Sequence, residues 1–389
     1  MKFLDWFPDI EVKGKKLDKY YKVIFGLIAA SFSGFYLYTS GFGLVSSESN
    51  RAFYLLFTAI LVFLSYPLGK KSLTGKPTVL DFILIFFVTI SILYWVDQYV
   101  PYAMNRVSSP NKWDTIMGVI AILTIIETSR RVLGWAIPII AAVFLLQLYY
   151  GAYLPGKLSH SGLPLTRIIE FTFSTQEAIF GVITSTFATF VFPFMIFGAF
   201  LEKSGAGSFF MDLATSLTGK WRGGPAKIAV FSSALFGSIS GSSVANVVAS
   251  GSFTIPMMKR VGFKNHHAGA IEAISSTGGQ VMPPIMGAGV FILATLTESD
   301  YLTIAAMNII PAILFFTFIM LMVDLEAVKS GLKGLPAEEV PDFKTVIKKG
   351  WHFFIPLIVV ITLLFNGFSP DYGAFWGIVS TLVLSWRNK

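Results

Sequence analysis

Between Ser240 and Asn246 the chain reads SGSSVAN, placing the hydroxyls of Ser240, Ser242 and Ser243, the backbone of Gly241 and the amide of Asn246 close together. Oxygen donors of this kind suit a hard cation such as Na⁺. A second polar stretch, SSTGGQVMPP, begins at Ser275. Here a first half-helix is expected over Asn265–Ser276, containing Ser275 and Ser276 in its last turn, with Thr277, Gly278 and Gly279 ending it, glycine being suited to a C-terminal cap. The last carbonyls of that helix carry partial negative charge and would face a cation. Pro283 and Pro284 suit the first turn of a second helix starting near Ile285, whose partly positive N-terminus would face an anion. Asn246, Gln280, Pro283 and Pro284 are the candidates for that anionic substrate. The competing readings are Gly237–Gly241 as a GxxxG packing motif and the second stretch as a proline kink. A kink needs only one proline, and packing alone does not call for so polar a tip.

The surroundings of both stretches are apolar. Of 389 residues, 54% are hydrophobic and 13% charged, and the mean hydropathy is +0.68. This composition marks an integral membrane protein, and its continuous apolar runs favour helices over a barrel. Broken backbone at membrane depth must be satisfied by protein, water or ligand, so two neighbouring breaks point to a binding site near the bilayer midplane. With no cysteine in the chain, disulfides and thiolate metal sites are excluded.

The apolar runs predict about ten membrane passes, at roughly 20–45, 51–69, 79–100, 114–129, 132–154, 179–201, 265–297, 301–323, 351–366 and 371–386. The pass at 265–297 is the discontinuous helix. Segment 225–262 is expected to be a re-entrant hairpin with arms Pro225–Ile239 and Asn246–Arg260. With the N-terminus in the cytoplasm and the hairpin returning to its side of entry, 25 of 30 basic residues lie inside. Outside remain Arg51, Arg106, Lys112, Lys157 and Arg167. The net charge of +8 is therefore read as membrane orientation, not nucleic-acid binding.

Tyr94, Trp95, Tyr99 and Tyr102, with Trp6, Trp221 and Trp351, are expected as interfacial aromatic anchors. Leu165, Ile168, Ile169 and Phe173 predict an amphipathic helix lying in the outer interface. The charged segment 324–350, with Pro336 and Pro341, reads as a linker. Arg130 and Arg131 are expected to anchor topology, and Asp97 and Glu127 to be solvated. His266 and His267 belong at headgroup level. Glu272 faces either a water-filled cavity or the inner interface. No GxSxG or HExxH pattern supports an enzyme. A channel is the alternative reading, because re-entrant hairpins also build selectivity filters.

The runs GGPAKIAVFSSALFGSISGSSVANVVASGSFTIPMMKRVGF and AGAIEAISSTGGQVMPPIMGAG, together with YGAYLPGKLSHSG, resemble the DctM-like large membrane subunit of TRAP (tripartite ATP-independent periplasmic) transporters. The closer resemblance is to the TAXI type, in which small and large membrane subunits are fused. It implies an inner-membrane permease in which Na⁺ gradients drive uptake of organic acids delivered by a TAXI-type periplasmic binding protein. No further cofactor is implied. It also implies an elevator-type fold. Residues 1–160 would be small-subunit-like and scaffold helices. Residues 161–330 would be the first repeat of the transport module, with its hairpin and broken helix, and 331–389 a cytoplasmic linker and further scaffold helices. Ser240–Ser243 and Asn246 would form the hairpin tip, completed as a Na⁺ site by Ser275–Gly279. Only one hairpin and one broken helix are found where the family has two of each, so the chain is expected to be an N-terminal portion or one half of a split permease, partnered by a C-terminal half.

Overall fold

The computed structural model describes residues 11–12, 15–43, 46–69 and 76–386. Trp6, Lys13, Lys70, Lys71 and the terminal Arg387, Asn388 and Lys389 lie outside the described residues. The regular secondary structure of the described residues is helical apart from a two-residue antiparallel ladder, β1 (Glu11–Val12) with β2 (Lys15–Lys16). Six helical runs among them are long and apolar enough to cross a membrane: Lys19–Phe42, Val79–Asn105, Ala136–Tyr153, Val182–Thr218, Tyr301–Lys329 and Ala337–Phe365. The expected passes at 51–69, 114–129 and 371–386 also appear as helices, but these do not meet both requirements of length and apolarity.

The chain forms two compact units. The first comprises residues to Thr39 and Gly43–Ala188. It carries α1 (Lys19–Phe42, to Thr39), α2 (Ser47–Ser65), α3 (Val79–Asn105), α4 (Lys112–Leu133), α5 (Ala136–Tyr150), α6 (Leu165–Ile169) and α7 (Val182–Thr186). Capping boxes set the starts of α3 and α4. Asp81 accepts from the Thr78 N–H at 2.6 Å, and Asp114 and Asn111 exchange bonds at 2.9 and 2.7 Å. Apolar positions one turn apart on α2, α3 and α4 meet in a core of Phe63, Val88, Ile92, Trp95, Ala121 and Phe180.

That core corrects several expectations. Trp95 is only 2% exposed and stacks on Phe180 at 3.8 Å, so it is a core residue and not an interfacial anchor. Tyr102 is buried too, and its hydroxyl donates to Glu170 at 2.6 Å. The expected interfacial helix is a five-residue α6 followed by a π-helical turn, Glu170–Ser174. Ile168, Ile169 and Phe173 are buried, with Ile169 and Phe173 against Gly118 of α4, because the hydrophobic face found a protein partner. Arg131 is no simple topology anchor and Glu127 is not merely solvated. The Arg131 side chain is fully buried, bonding Asp81 at 2.6 Å and Glu127 at 2.8 Å, and Glu127 also takes Arg130 at 2.6 Å.

The second unit comprises Ser40–Phe42 and Thr189–Lys389. Within it run α8 (Phe192–Leu201), α9 (Gly207–Thr218), α10 (Gly224–Ser240), α11 (Ser243–Arg260), α12 (Asn265–Gly278), α13 (Ala288–Leu296), α14 (Tyr301–Lys329), α15 (Phe343–Gly350), α16 (Ile355–Phe365) and α17 (Pro370–Trp386). The expected linker at 324–350 is mostly helical: α14 runs on to Lys329, and α15, capped by Asp342, buries Val346. Trp221 and Trp351 are exposed. Small residues of α10 (Ala226, Ala229, Val230) pack with Met258, Ala268, Ile319 and Val323 from α11, α12 and α14. Those four helices build the candidate site.

Candidate ion and substrate site

The hairpin is tighter than its sequence suggests. Its arms are 17 and 18 residues, longer than the expected fifteen, and only Gly241 and Ser242 separate them. Gly241 takes a left-handed conformation, φ 60°, and a Cβ there would sit 2.1 Å from the Met286 carbonyl oxygen. Glycine is therefore required twice over, for the turn and for the close approach. Ser240 Oγ accepts from the Ser242 N–H, and Ser242 Oγ caps α11 by accepting from the Ala245 N–H, each at 3.3 Å. Ser243 and Asn246 lie in the first turn of α11, not in an open loop.

The broken helix breaks later than expected. Its first half continues through Thr277 to Gly278, then tightens to a 3₁₀ turn at Gly279–Val281, and its second half starts only at Ala288. Pro283 and Pro284, joined by a cis peptide, are therefore in the connection and do not open a helix as the sequence led us to expect. Thr277 is exposed, and its hydroxyl bonds back to the Ala273 carbonyl at 2.8 Å, so its side chain is not gathered into the cluster. The Gly279 N–H occupies the Ser275 and Thr277 carbonyls.

The two breaks meet. A Cβ on Gly237 would fall 2.1 Å from Gly279 Cα, so the hairpin's first arm and the 3₁₀ turn touch backbone to backbone. The Ile285 N–H donates to the Ser238 carbonyl at 3.2 Å, and Gln280 Nε2 to Ser243 Oγ at 3.3 Å. Asn246 is 1% exposed; its Nδ2 donates to the Ser233 carbonyl at 3.0 Å, and it also lies 3.2 Å from where a Gly279 Cβ would be. Ser275 is fully buried and its Oγ has no hydrogen-bond partner among the described residues. Ser240, Gly241, Ser242, Ser243 and Gln280 are half-buried at this junction.

Several residues at the site were not singled out from sequence. Tyr301 Oη lies 2.7 Å from the Pro284 carbonyl oxygen and 2.6 Å from that of Ile285, tying the connection to α14. Ser250 and Thr254 continue from Asn246 at four-residue intervals, and that stripe of polar residues on an apolar helix was the available signal. Glu272 is reached by both of them. It is fully buried and faces neither a water-filled cavity nor the inner interface.

A helical membrane protein, with a tight hairpin whose tip closes on the break of a discontinuous helix, is the class these elements define. Residues 120–388 match the family described as "Tripartite ATP-independent periplasmic transporter, DctM component", and the chain belongs to that family. It is 29% identical over 182 residues to the C4-dicarboxylate TRAP transporter large permease protein DctM of Pseudomonas aeruginosa, covering 46% of this chain and 42% of that one. It is 25% identical over 214 residues to the sialic acid TRAP transporter large permease protein SiaM of Vibrio cholerae, covering 54% and 49%. The isethionate TRAP transporter permease protein DctMQ of Oleidesulfovibrio alaskensis is 26% identical over 239 residues, covering 59% and 35%. The chain spans about half the length or less of these relatives.

Proposed function

We propose that this chain is a permease component of a Na⁺-coupled secondary transporter that takes up organic acids handed over by a TAXI-type periplasmic binding protein. Family membership supports a transporter component and not an enzyme. The relatives named for C4-dicarboxylate, sialic acid and isethionate support an acidic substrate. In this reading the protein lies in the inner membrane with its N-terminus in the cytoplasm, residues 1–160 serve as the fused small subunit and scaffold, and the hairpin and broken helix ride in an elevator-type transport module.

The observation that carries the reading is the junction itself: the hairpin tip abuts the connection after α12, next to a fully buried Ser275 hydroxyl with no partner among the described residues. Ser240–Ser243, Asn246 and Ser275–Gly279 are the proposed Na⁺ ligands, Thr277 through its backbone. Each tip hydroxyl keeps an oxygen lone pair beyond the turn bond it makes. Asn246, Gln280, Pro283 and Pro284 border the proposed carboxylate site. The test is uptake of a radiolabelled C4-dicarboxylate by cells carrying the intact permease locus and its binding protein. Uptake is expected to follow an imposed Na⁺ gradient, to fail without the binding protein, and to weaken in Ser242→Ala and Asn246→Ala. Uptake indifferent to Na⁺ in all three would contradict the proposal. Orientation is checked on cysteine-free chain carrying Lys220→Cys or Lys264→Cys; labelling from outside by an impermeant maleimide would refute it.

A further inference from the structure

A groove of about 460 Å³ runs along the second unit between α10 and α14. Its walls are apolar: Val230 and Phe231 of α10 face Ala312, Phe316 and Met320 of α14, and Met282 from the connection after α12 also lines it. Its α14 wall extends from Ala312 to Asp324, twelve positions, which is about 18 Å at ~1.5 Å per residue. That is about the depth of one leaflet of a ~30 Å hydrocarbon core. α14 carries no charged residue from Tyr301 to Val323, so Asp324 marks the level at which it leaves the apolar region.

The mouth of the groove is polar and carries an excess of positive charge. Asp324 accepts from Lys227 Nζ at 2.5 Å and from Arg222 Nη2 at 2.6 Å, so two cations share one carboxylate. Lys220, two positions before Arg222, is exposed and adds to the excess. Lys227 is only 7% exposed, and its ammonium lies 5.5 Å from the Trp221 ring centroid, which holds the charge at the groove's edge. An ammonium has three donor hydrogens and a guanidinium five. Asp324 takes one of the first and two of the second, leaving donors suited to phosphate oxygens. A neighbouring groove between α12 and α14 is half the size, 230 Å³, and neither lysine nor arginine lines it; there His267 pairs with Glu326.

We propose that the groove between α10 and α14 is a lipid site. It takes one acyl chain of an anionic phospholipid from the surrounding bilayer, with the headgroup phosphate at Arg222 and Lys227. The apolar walls receive the chain, and their length matches a chain of a single leaflet. The charge excess at the mouth sets the preference: a zwitterionic phospholipid has the same chains but brings its own cation to a mouth that already has one too many. The bound lipid touches the hairpin's first arm and α14 together, at a place apart from the Na⁺ junction.

The test uses the full chain in phosphatidylcholine nanodiscs. The chain has no cysteine, so Thr317→Cys, exposed at the rim of the groove, can be labelled alone with a small fluorophore. Phe144→Cys, exposed on α5 of the first unit, is the control. Quenching by brominated phosphatidylglycerol is compared with quenching by brominated phosphatidylcholine. At Thr317→Cys half-maximal quenching is expected at on the order of fivefold less of the anionic lipid, the scale of one basic residue near an anionic headgroup. At Phe144→Cys the two lipids are expected to quench equally. Arg222→Gln leaves Lys227 and Asp324 as a neutral pair and should erase the preference at Thr317→Cys. Equal quenching by both lipids at Thr317→Cys, in the chain that keeps Arg222, would overturn the proposal even if the Arg222 variant failed to fold, because the groove would then take any chain. So would quenching by neither, which would mean that protein covers the groove. A preference that survives Arg222→Gln, or that Phe144→Cys shares, would overturn it too.

Discussion

Among the described residues two acidic residues are wholly buried, Asp81 and Glu272, one in each unit, and they are satisfied by opposite means. Asp81 in the first unit meets the Arg131 guanidinium at 2.6 Å, with both side chains fully buried, and Arg131 is further held by Glu127 and the Tyr66 carbonyl. Glu272 in the second unit meets only hydroxyls. A paired charge in a low-dielectric interior is locked, because separating or neutralising either partner leaves the other uncompensated. A carboxyl among hydroxyls has no cation partner whose loss would strand it. The first arrangement fits a rigid support. The second joins the hairpin's second arm to the first half of the broken helix through hydroxyl bonds alone.

The largest effect follows from breaking the locked pair. Arg131→Met strands Asp81 without its cation, and a loss of about 3–5 kcal/mol is expected in a denaturation series in detergent. Asp81→Asn combined with Arg131→Met should recover much of it; equal losses in single and double variants would mean the pair is not what holds α3 to α4. Next is Gly237→Ala, which drives a methyl into Gly279 Cα. Backbone must shift, so a cost of about 1–3 kcal/mol is expected, together with faster exchange at the hairpin tip while the first unit is unchanged. Wild-type protection of the tip in that variant would show that the two breaks do not touch.

The smallest effect concerns Glu170, at the start of the π-helical turn in the first unit. Burial pushes its carboxyl up, but bonds from Tyr102 Oη, Arg167 and the Ser108 N–H outweigh this and hold it below the usual range. A folded-state value below the unfolded one means stabilisation that is present above about pH 4.3 and lost as the pH falls through the folded value. Glu170→Gln should flatten that acid-side loss and cost on the order of 1 kcal/mol at neutral pH. An unchanged acid limb would remove Glu170 from the account.

The helices and the two breaks were legible in the sequence because hydrophobic runs, SGSS and TGGQVMPP are local signals. What was not legible depended on partners. Trp95 and Ile169 looked interfacial because an apolar face does not say whether lipid or protein will cover it. Arg131 looked like a topology anchor because its partner Asp81 lies fifty positions away in the chain. The start of α13 was placed too early because Pro283 and Pro284 suit a helix N-terminus as readily as an irregular connection. Glu272 was left between two environments, since only the fold brings Ser250 and Thr254 of another helix onto it.

The central claim is that the hairpin tip and the break after α12 together bind Na⁺. It is tested most directly by the thermal stability of the purified full chain, titrated with NaCl at constant ionic strength against choline chloride. A ligand that binds the folded state alone raises stability as RT ln(1 + [L]/Kd). The account predicts a Na⁺-specific rise in Tm for wild type. Removing one polar ligand, at about 1–3 kcal/mol, should displace the titration to roughly ten- to a hundredfold higher Na⁺ in Asn246→Ala and Ser242→Ala. A wild-type Tm that does not distinguish Na⁺ from choline, or identical titrations in all three proteins, would contradict it.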